Sequence, residues 1–199
     1  MRTILNNSAK TRIKAFTRLM RTASKLYHAN PKNSPKNMNI ADDDVLQLLR
    51  SLHRYNVQFL LVGGMAGVVH GHIRTTQDMD LWLKSDAENK VNLIYALEEN
   101  DVAGSTNLKD VPLIFEWTSV AVGKYGFMLD TGYHLKAFRD IDFDACYERA
   151  IDVTFDGVSF KVIRLNDLIT EKLATGRPKD IGDAEELIKI KDRNDGSDT

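Results

Sequence analysis

The spacing of apolar residues changes period several times along the chain, and each change marks an element. Val45, Leu46, Leu48, Leu49 and Leu52 recur on one helical face after Asp42-Asp43-Asp44, which predicts an amphipathic helix with acids in its first turn and an end near Asn56. Val57, Phe59, Leu60, Leu61 and Val62 then form a β-type run that stops at Gly63-Gly64. A short apolar segment, Met65 to Val69, leads through Arg74 and two threonines to Asp78-Met79-Asp80 and a second run, Leu81-Trp82-Leu83. Residues 57–84 therefore read as strand, glycine turn, helix, strand.

Further along, Ser85-x-x-Glu88 has the form of a capping box that opens a helix carrying Val91, Leu93, Ile94 and Leu97. Residues 101–110 read as a loop. Residues 113–120 and 126–130 read as strands, the second ending at Asp130. Residues 143–150 read as a short helix, although the Asp140-Ile141-Asp142-Phe143-Asp144 alternation before it also suits a strand face. Ile151, Val153, Phe155 and Val158, Phe160, Val162 flank Asp156-Gly157, a two-residue hairpin signature. Asn166 is placed to cap a helix reaching Ala174, with Gly176 to end it, and Pro178 suits the first turn of a last helix reaching about Lys191.

Charge divides the chain. Residues 1–41 hold nine Lys or Arg and no Asp or Glu, leaving 18 basic residues against all 28 acidic ones in the remainder, a balance of −10. Within this arm Ile13, Phe16, Leu19, Met20, Ala23, Leu26 and Tyr27 recur at helical spacing among the cations, which predicts a basic amphipathic helix over about 9–28. Such a helix suits contact with RNA, a membrane surface, organellar targeting, or simple packing on the body. Residues 29–39, with two prolines, read as a linker. The expected organisation is an arm and linker over 1–40, a body over 41–192 and a disordered tail over 193–199. One cysteine, Cys146, allows no internal disulfide and fits a reducing, cytoplasmic setting as a structural thiol. No apolar run approaches a membrane span in length.

The chemistry concentrates around residues 57–84. Asp78 and Asp80 lie two apart on a strand and so share a face, with Met79, Leu81 and Leu83 on the other. Two adjacent like charges need a compensating cation, and a divalent metal is the usual one. Gly63-Gly64, lacking Cβ atoms at a strand-to-helix turn, suits close approach of a phosphate. Arg74 can clamp a phosphate with its planar fork. His70-x-His72 reads as ending the helix and bordering the cleft rather than as a zinc pair. A triphosphate turn beside paired carboxylates points to phosphoryl or nucleotidyl transfer, which in its two-metal form draws a further carboxylate from a neighbouring strand. Asp130 is the candidate, with Asp142 and Asp144 as alternatives.

The order Gly-Gly, x-His-Gly, Arg74-x-Thr76-x-Asp78-x-Asp80 resembles the polymerase-β-like nucleotidyltransferase superfamily. The run 168–187, LITEKLATGRPKDIGDAEEL, is similar to the Glu-Lys … Arg-x-Lys-Asp-x-x-Asp segment of AbiEii-type toxin nucleotidyltransferases and their uncharacterised bacterial relatives. The likeness covers roughly residues 42–190. It implies an α+β fold, a small mixed sheet with helices packed on it, and Mg²⁺ chemistry on a nucleoside triphosphate, with two ions. Asp78 and Asp80 match the metal-binding pair, Gly63 and Gly64 the nucleotide-binding turn, and Lys172 and Asp180 active-site positions, Lys172 on the triphosphate. Many superfamily members carry Gly-Ser at the turn; Gly64-Met65 offers no hydroxyl here.

Together these readings lead to the expectation of a Mg²⁺-dependent nucleotidyltransferase, with Asp78, Asp80, Lys172 and Asp180 as catalytic residues. Gly63, Gly64, Arg74 and Lys172 would hold the nucleotide, and Asp78, Asp80 and Asp130 the metal. By the toxin resemblance the acceptor would be a tRNA, contacted through the basic arm, and a cognate antitoxin a partner. A protein or small-molecule acceptor, or a catalytically silent binding module, are the alternatives.

Overall fold

The computed structural model describes residues 43–110, 117–123 and 126–195. The expected basic helix over 9–28, the linker over 29–39, residues 113–116 of the expected third strand and the end of the tail lie outside these.

The first helix, α1 (Asp43–Arg54), buries the five apolar residues that its pattern assigned inward, Val45, Leu46, Leu48, Leu49 and Leu52. The chain then runs through β1 (Phe59–Leu61), the short helix α2 (Gly63–Val69), β2 (Asp78–Leu83) and α3 (Ala87–Glu99). The capping box expected at Ser85 and Glu88 does not form. Asp86 is the N-cap instead, its carboxylate accepting from the Asn89 amide at 2.7 Å. Asn89 explains the choice: buried, its side chain accepts from Gln58 N–H and donates to the Gln58 and Lys84 carbonyls, tying the helix start to the ends of β1 and β2. Val91 faces solvent while Leu93, Ile94 and Leu97 are buried.

The expected loop over 101–110 contains a 3₁₀ turn at Ser105–Asp110. β3 (Trp117–Val122) and β4 (Phe127–Gly132) form a hairpin. A second 3₁₀ turn, Asp140–Asp142, leads into α4 (Phe143–Arg149), so the ambiguous alternation resolves as helical. β5 (Ile151–Phe155) and β6 (Val158–Val162) pair across the Asp156-Gly157 turn, both residues at positive φ. α5 (Leu165–Thr175) begins ahead of Asn166, on Arg164, and stops at Gly176. α6 starts at Pro178 and runs to Asp195, past the expected end at Lys191.

The six strands make one mixed sheet in the order β3-β4-β2-β1-β6-β5. β2 is antiparallel to β1 and parallel to β4, and β1 is parallel to β6. The architecture is the α+β class expected, with helices packed on a mixed sheet. α1 packs on β6 and α3, α5 packs on α6, and α2 packs on β2 and α5. Met79, Leu81 and Leu83, on the β2 face away from the aspartates, are all buried, as the strand period requires. Among the described residues no helix is long and apolar enough to cross a membrane.

Candidate active site

β2 sits between β1 and β4, and its first residues carry the acids. The parallel register with β4 places Asp80 opposite Asp130 and Asp78 opposite Met128. Directly paired residues project to the same face of a sheet, and so do residues two apart. Asp78, Asp80 and Asp130 thus share one face, and one carboxylate oxygen from each lies within 4.8 Å of the others. Asp142 and Asp144 are elsewhere: Asp142 accepts from the Arg139 amide at 2.9 Å, and Asp144 pairs with Lys84 at 3.1 Å.

The floor of this face is apolar. Trp82, next along the same side of β2, is fully buried, stacks on Phe138 and meets Phe143 edge-on, and its indole donates to the Tyr133 carbonyl at 3.0 Å. Burial, followed by the charges of Asp78 and Asp130, pushes the Asp80 carboxyl up to about 6; Lys172 and the Gly64 amide pull the other way without balancing it. Three crowded carboxylates, one with weakened ionisation, form an all-oxygen donor set that suits a hard divalent cation, which relieves their mutual repulsion. Thr76 orients the pair by donating its hydroxyl to Asp78 Oδ1 at 2.8 Å.

The glycine turn has a physical role beside the phosphate approach expected of it. β1 is extended by Val62, whose amide donates to the Asp80 carbonyl at 3.0 Å, so the turn abuts Asp80. Gly63 has φ +62°, and a Cβ there would overlap the Asp80 carboxylate. A Cβ on Gly64 would meet Thr76 Oγ1 at 2.7 Å and crowd the Arg74 guanidinium at 3.3 Å. The missing Cβ atoms make room for the protein's own site residues.

A second polar cluster lies beside the triad. Lys172 from α5 is only 7 % exposed; its Nζ donates to Asp180 Oδ1 at 2.6 Å and lies 3.0 Å from Asp183 Oδ2. Arg177 Nε also donates to Asp180. Asp183 further receives Arg74 Nη1, and its Oδ1 lies 3.2 Å from His72 Nε2. Burial opposes ionisation of Asp180, but the bonds from Arg177 and Lys172 outweigh it and hold its carboxyl below the ordinary value. Burial likewise opposes ionisation of Asp183, and the Lys172, Arg74 and His72 contacts outweigh it. His70 turns away from His72: its Nε2–H donates to the Ile163 carbonyl at 2.7 Å, and burial lowers its pKa. Cys146 is buried, its thiol pushed up to about 11 by that burial, which leaves it a packing residue.

All eight positions expected to hold metal or nucleotide thus fall in one region: the triad and glycine turn on one side, Arg74, Lys172 and Asp180 on the other. From the sequence alone Asp183 and Thr76 carry no assigned role, and His72 reads only as bordering the cleft. Asp183 was legible only as a neighbour of Asp180 on one helix face, since its partners Arg74 and His72 lie 109 and 111 residues away.

Carboxylates on paired central strands, next to a glycine turn and a buried lysine, define a protein of the nucleotidyltransferase class. The chain belongs to the family described as nucleotidyltransferase of unknown function (DUF6036), whose model matches residues 36–194. The superfamily read from the sequence is borne out at that level. Among solved structures the chain is similar to the antibiotic-resistance factor ANT(2'')-Ia, at 13% identity over 72% of this chain and 79% of that one, with a TM-score of 0.43. It is also similar to an antigenic nucleotidyltransferase-like protein from Paracoccidioides brasiliensis, at 20% identity over 72% and 71%, again with a TM-score of 0.43. No curated protein matches it.

Proposed function

We propose that this protein is a Mg²⁺-dependent enzyme that moves a nucleoside monophosphate from a triphosphate to a hydroxyl of an RNA, with a tRNA as the substrate class, acting in the cytoplasm as the toxin of a toxin–antitoxin pair. The observation that carries the transferase reading is the convergence of Asp78, Asp80 and Asp130 within 4.8 Å, beside a separate cluster of cations. The triad would hold two divalent ions, which supply charge neutralisation at the phosphates and activation of the acceptor hydroxyl. Thr76 fixes the Asp78 carboxylate. Gly63 and Gly64 let β1 close on Asp80 and let Arg74 approach the turn. Arg74 and Lys172 offer positive charge to the triphosphate, with Asp180 and Asp183 holding them in register. The acceptor oxygen attacks the α-phosphorus, the bond to the bridging oxygen breaks, and pyrophosphate leaves. The arm over residues 1–41, with nine cations and no acid, supports an RNA acceptor.

The test is incubation of the full chain with each α-labelled nucleoside triphosphate, Mg²⁺ and total cellular RNA, followed by RNA and protein gels. Label in a tRNA band that disappears with EDTA is expected. Label in protein or in a small-molecule fraction would replace the RNA acceptor, and no Mg²⁺-dependent labelling of any fraction would favour a silent binding module.

A further inference from the structure

The triad and the cationic cluster meet at the glycine turn, where a Cβ on Gly63 would overlap the Asp80 carboxylate and one on Gly64 would lie 3.3 Å from the Arg74 guanidinium. Lys172 acts electrostatically on Asp80, and Arg177 is under the influence of Asp80 and Asp78. Lysine carries its charge on a flexible four-carbon stem, and an arginine fork readily chelates a carboxylate. Three crowded carboxylates would therefore draw Lys172 and Arg74 onto themselves unless something else held those cations, and a site collapsed in that way would be closed to a metal.

The residue placed to prevent this is Asp183. It is 8 % exposed, and it projects from α6 one helical turn beyond Asp180, on the same face. Its Oδ2 takes both Lys172 Nζ, at 3.0 Å, and Arg74 Nη1, while Oδ1 takes His72 Nε2. Asp180 cannot substitute for it at Arg74: its Oδ1 holds Lys172 and its Oδ2 holds Arg177, whereas the carboxylate paired with Arg74 is Asp183. Asp183 thus joins the connection before β2, which carries His72 and Arg74, to α5, which carries Lys172.

We infer that Asp183 is a positioning residue that keeps Lys172 and Arg74 off the Asp78–Asp80–Asp130 triad and so keeps the triad open to a divalent cation. The inference rests on the metal-dependent reading of the triad, and it is tested by metal binding alone. Mn²⁺ affinity of the full chain, without nucleotide, is measured by electron paramagnetic resonance. Asp183→Asn is expected to lower it by about 10-fold or more, the range seen when residues that orient a metal site are lost. Adding Arg74→Met to Asp183→Asn is expected to recover most of that loss, because Lys172 is still held by Asp180 and the arginine whose carboxylate partner was Asp183, and which would cover the triad, is gone. A merely structural role for Asp183 predicts the opposite sign, with the second substitution adding to the damage.

Unchanged Mn²⁺ affinity in Asp183→Asn, or a loss that Arg74→Met deepens, overturns the inference. If Asp183→Asn does not fold, Asp183→Ser is read in the same way, and failure of both to fold overturns the inference in favour of a structural role. Wild-type protein that binds no Mn²⁺ removes the metal reading and the inference together. Wild type that binds with Asp183→Asn unchanged removes the inference alone.

Discussion

Asp80 is held in a position that costs the fold free energy. Its carboxyl is displaced from 3.8 to about 6, first by burial and then by Asp78 and Asp130. Between those two values the folded state binds more protons than the unfolded one, so stability falls as pH rises through the interval and stays reduced above it. The displacement corresponds to about 3 kcal/mol at neutral pH. Asp80→Asn is therefore expected to raise the thermal midpoint of the metal-free protein at pH 8, and to lose that advantage at a pH well below 3.8, where the wild-type carboxyl is neutral in both states. Thermal melts in EDTA at the two pH values check this. The same substitution, or Asp78→Asn, is expected to lower nucleotidyl transfer by ~10³-fold or more with an unchanged far-ultraviolet circular dichroism spectrum. Gain of stability with loss of activity at one residue is the signature of a carboxylate kept for chemistry.

At the scale of elements, the β1–α2 turn is the joint on which the site depends. Gly63 combines a left-handed φ with the absence of a Cβ where Asp80 sits. Gly63→Ala would impose both backbone strain and a clash with a half-fixed carboxylate, so a destabilisation of about 2 kcal/mol or more is expected, together with loss of transfer. Chemical denaturation measures the first. Asp80→Asn would not rescue it, because asparagine fills the same space. The β2–β4 pairing matters in a different way. Its parallel register brings Asp130 opposite Asp80, so slippage by one residue would turn Asp130 to the opposite face.

The whole chain pairs a basic segment with an acidic body, nine cations without an acid over residues 1–41 against a balance of −10 elsewhere. If the segment contacts RNA, removing residues 1–40 is expected to weaken binding to total tRNA and to flatten its dependence on salt, since fewer counterions are released. Filter binding at several ionic strengths checks both, and an unchanged salt slope would return the segment to a packing role. Transfer to a small acceptor would be insensitive to the same deletion.

Much of this protein is determined locally and was legible in order along the chain. The apolar periods of α1 and β2, the Asp-Gly hairpin and the Gly176 stop are short-range consequences of side-chain spacing and backbone preference. So was the pairing of Asp78 with Asp80, which follows from the strand period alone. Tertiary structure decided what depends on partners distant in sequence. The cap of α3 moved to Asp86 because Asn89 is claimed by Gln58 and Lys84. Asp130 was separated from Asp142 and Asp144 by strand register. The glycine turn proved to accommodate Asp80, Thr76 and Arg74. Asp183 acquired its two cations only when α6 met α5 and the connection before β2. Spacing encodes which face a side chain takes; only packing encodes what lies opposite it.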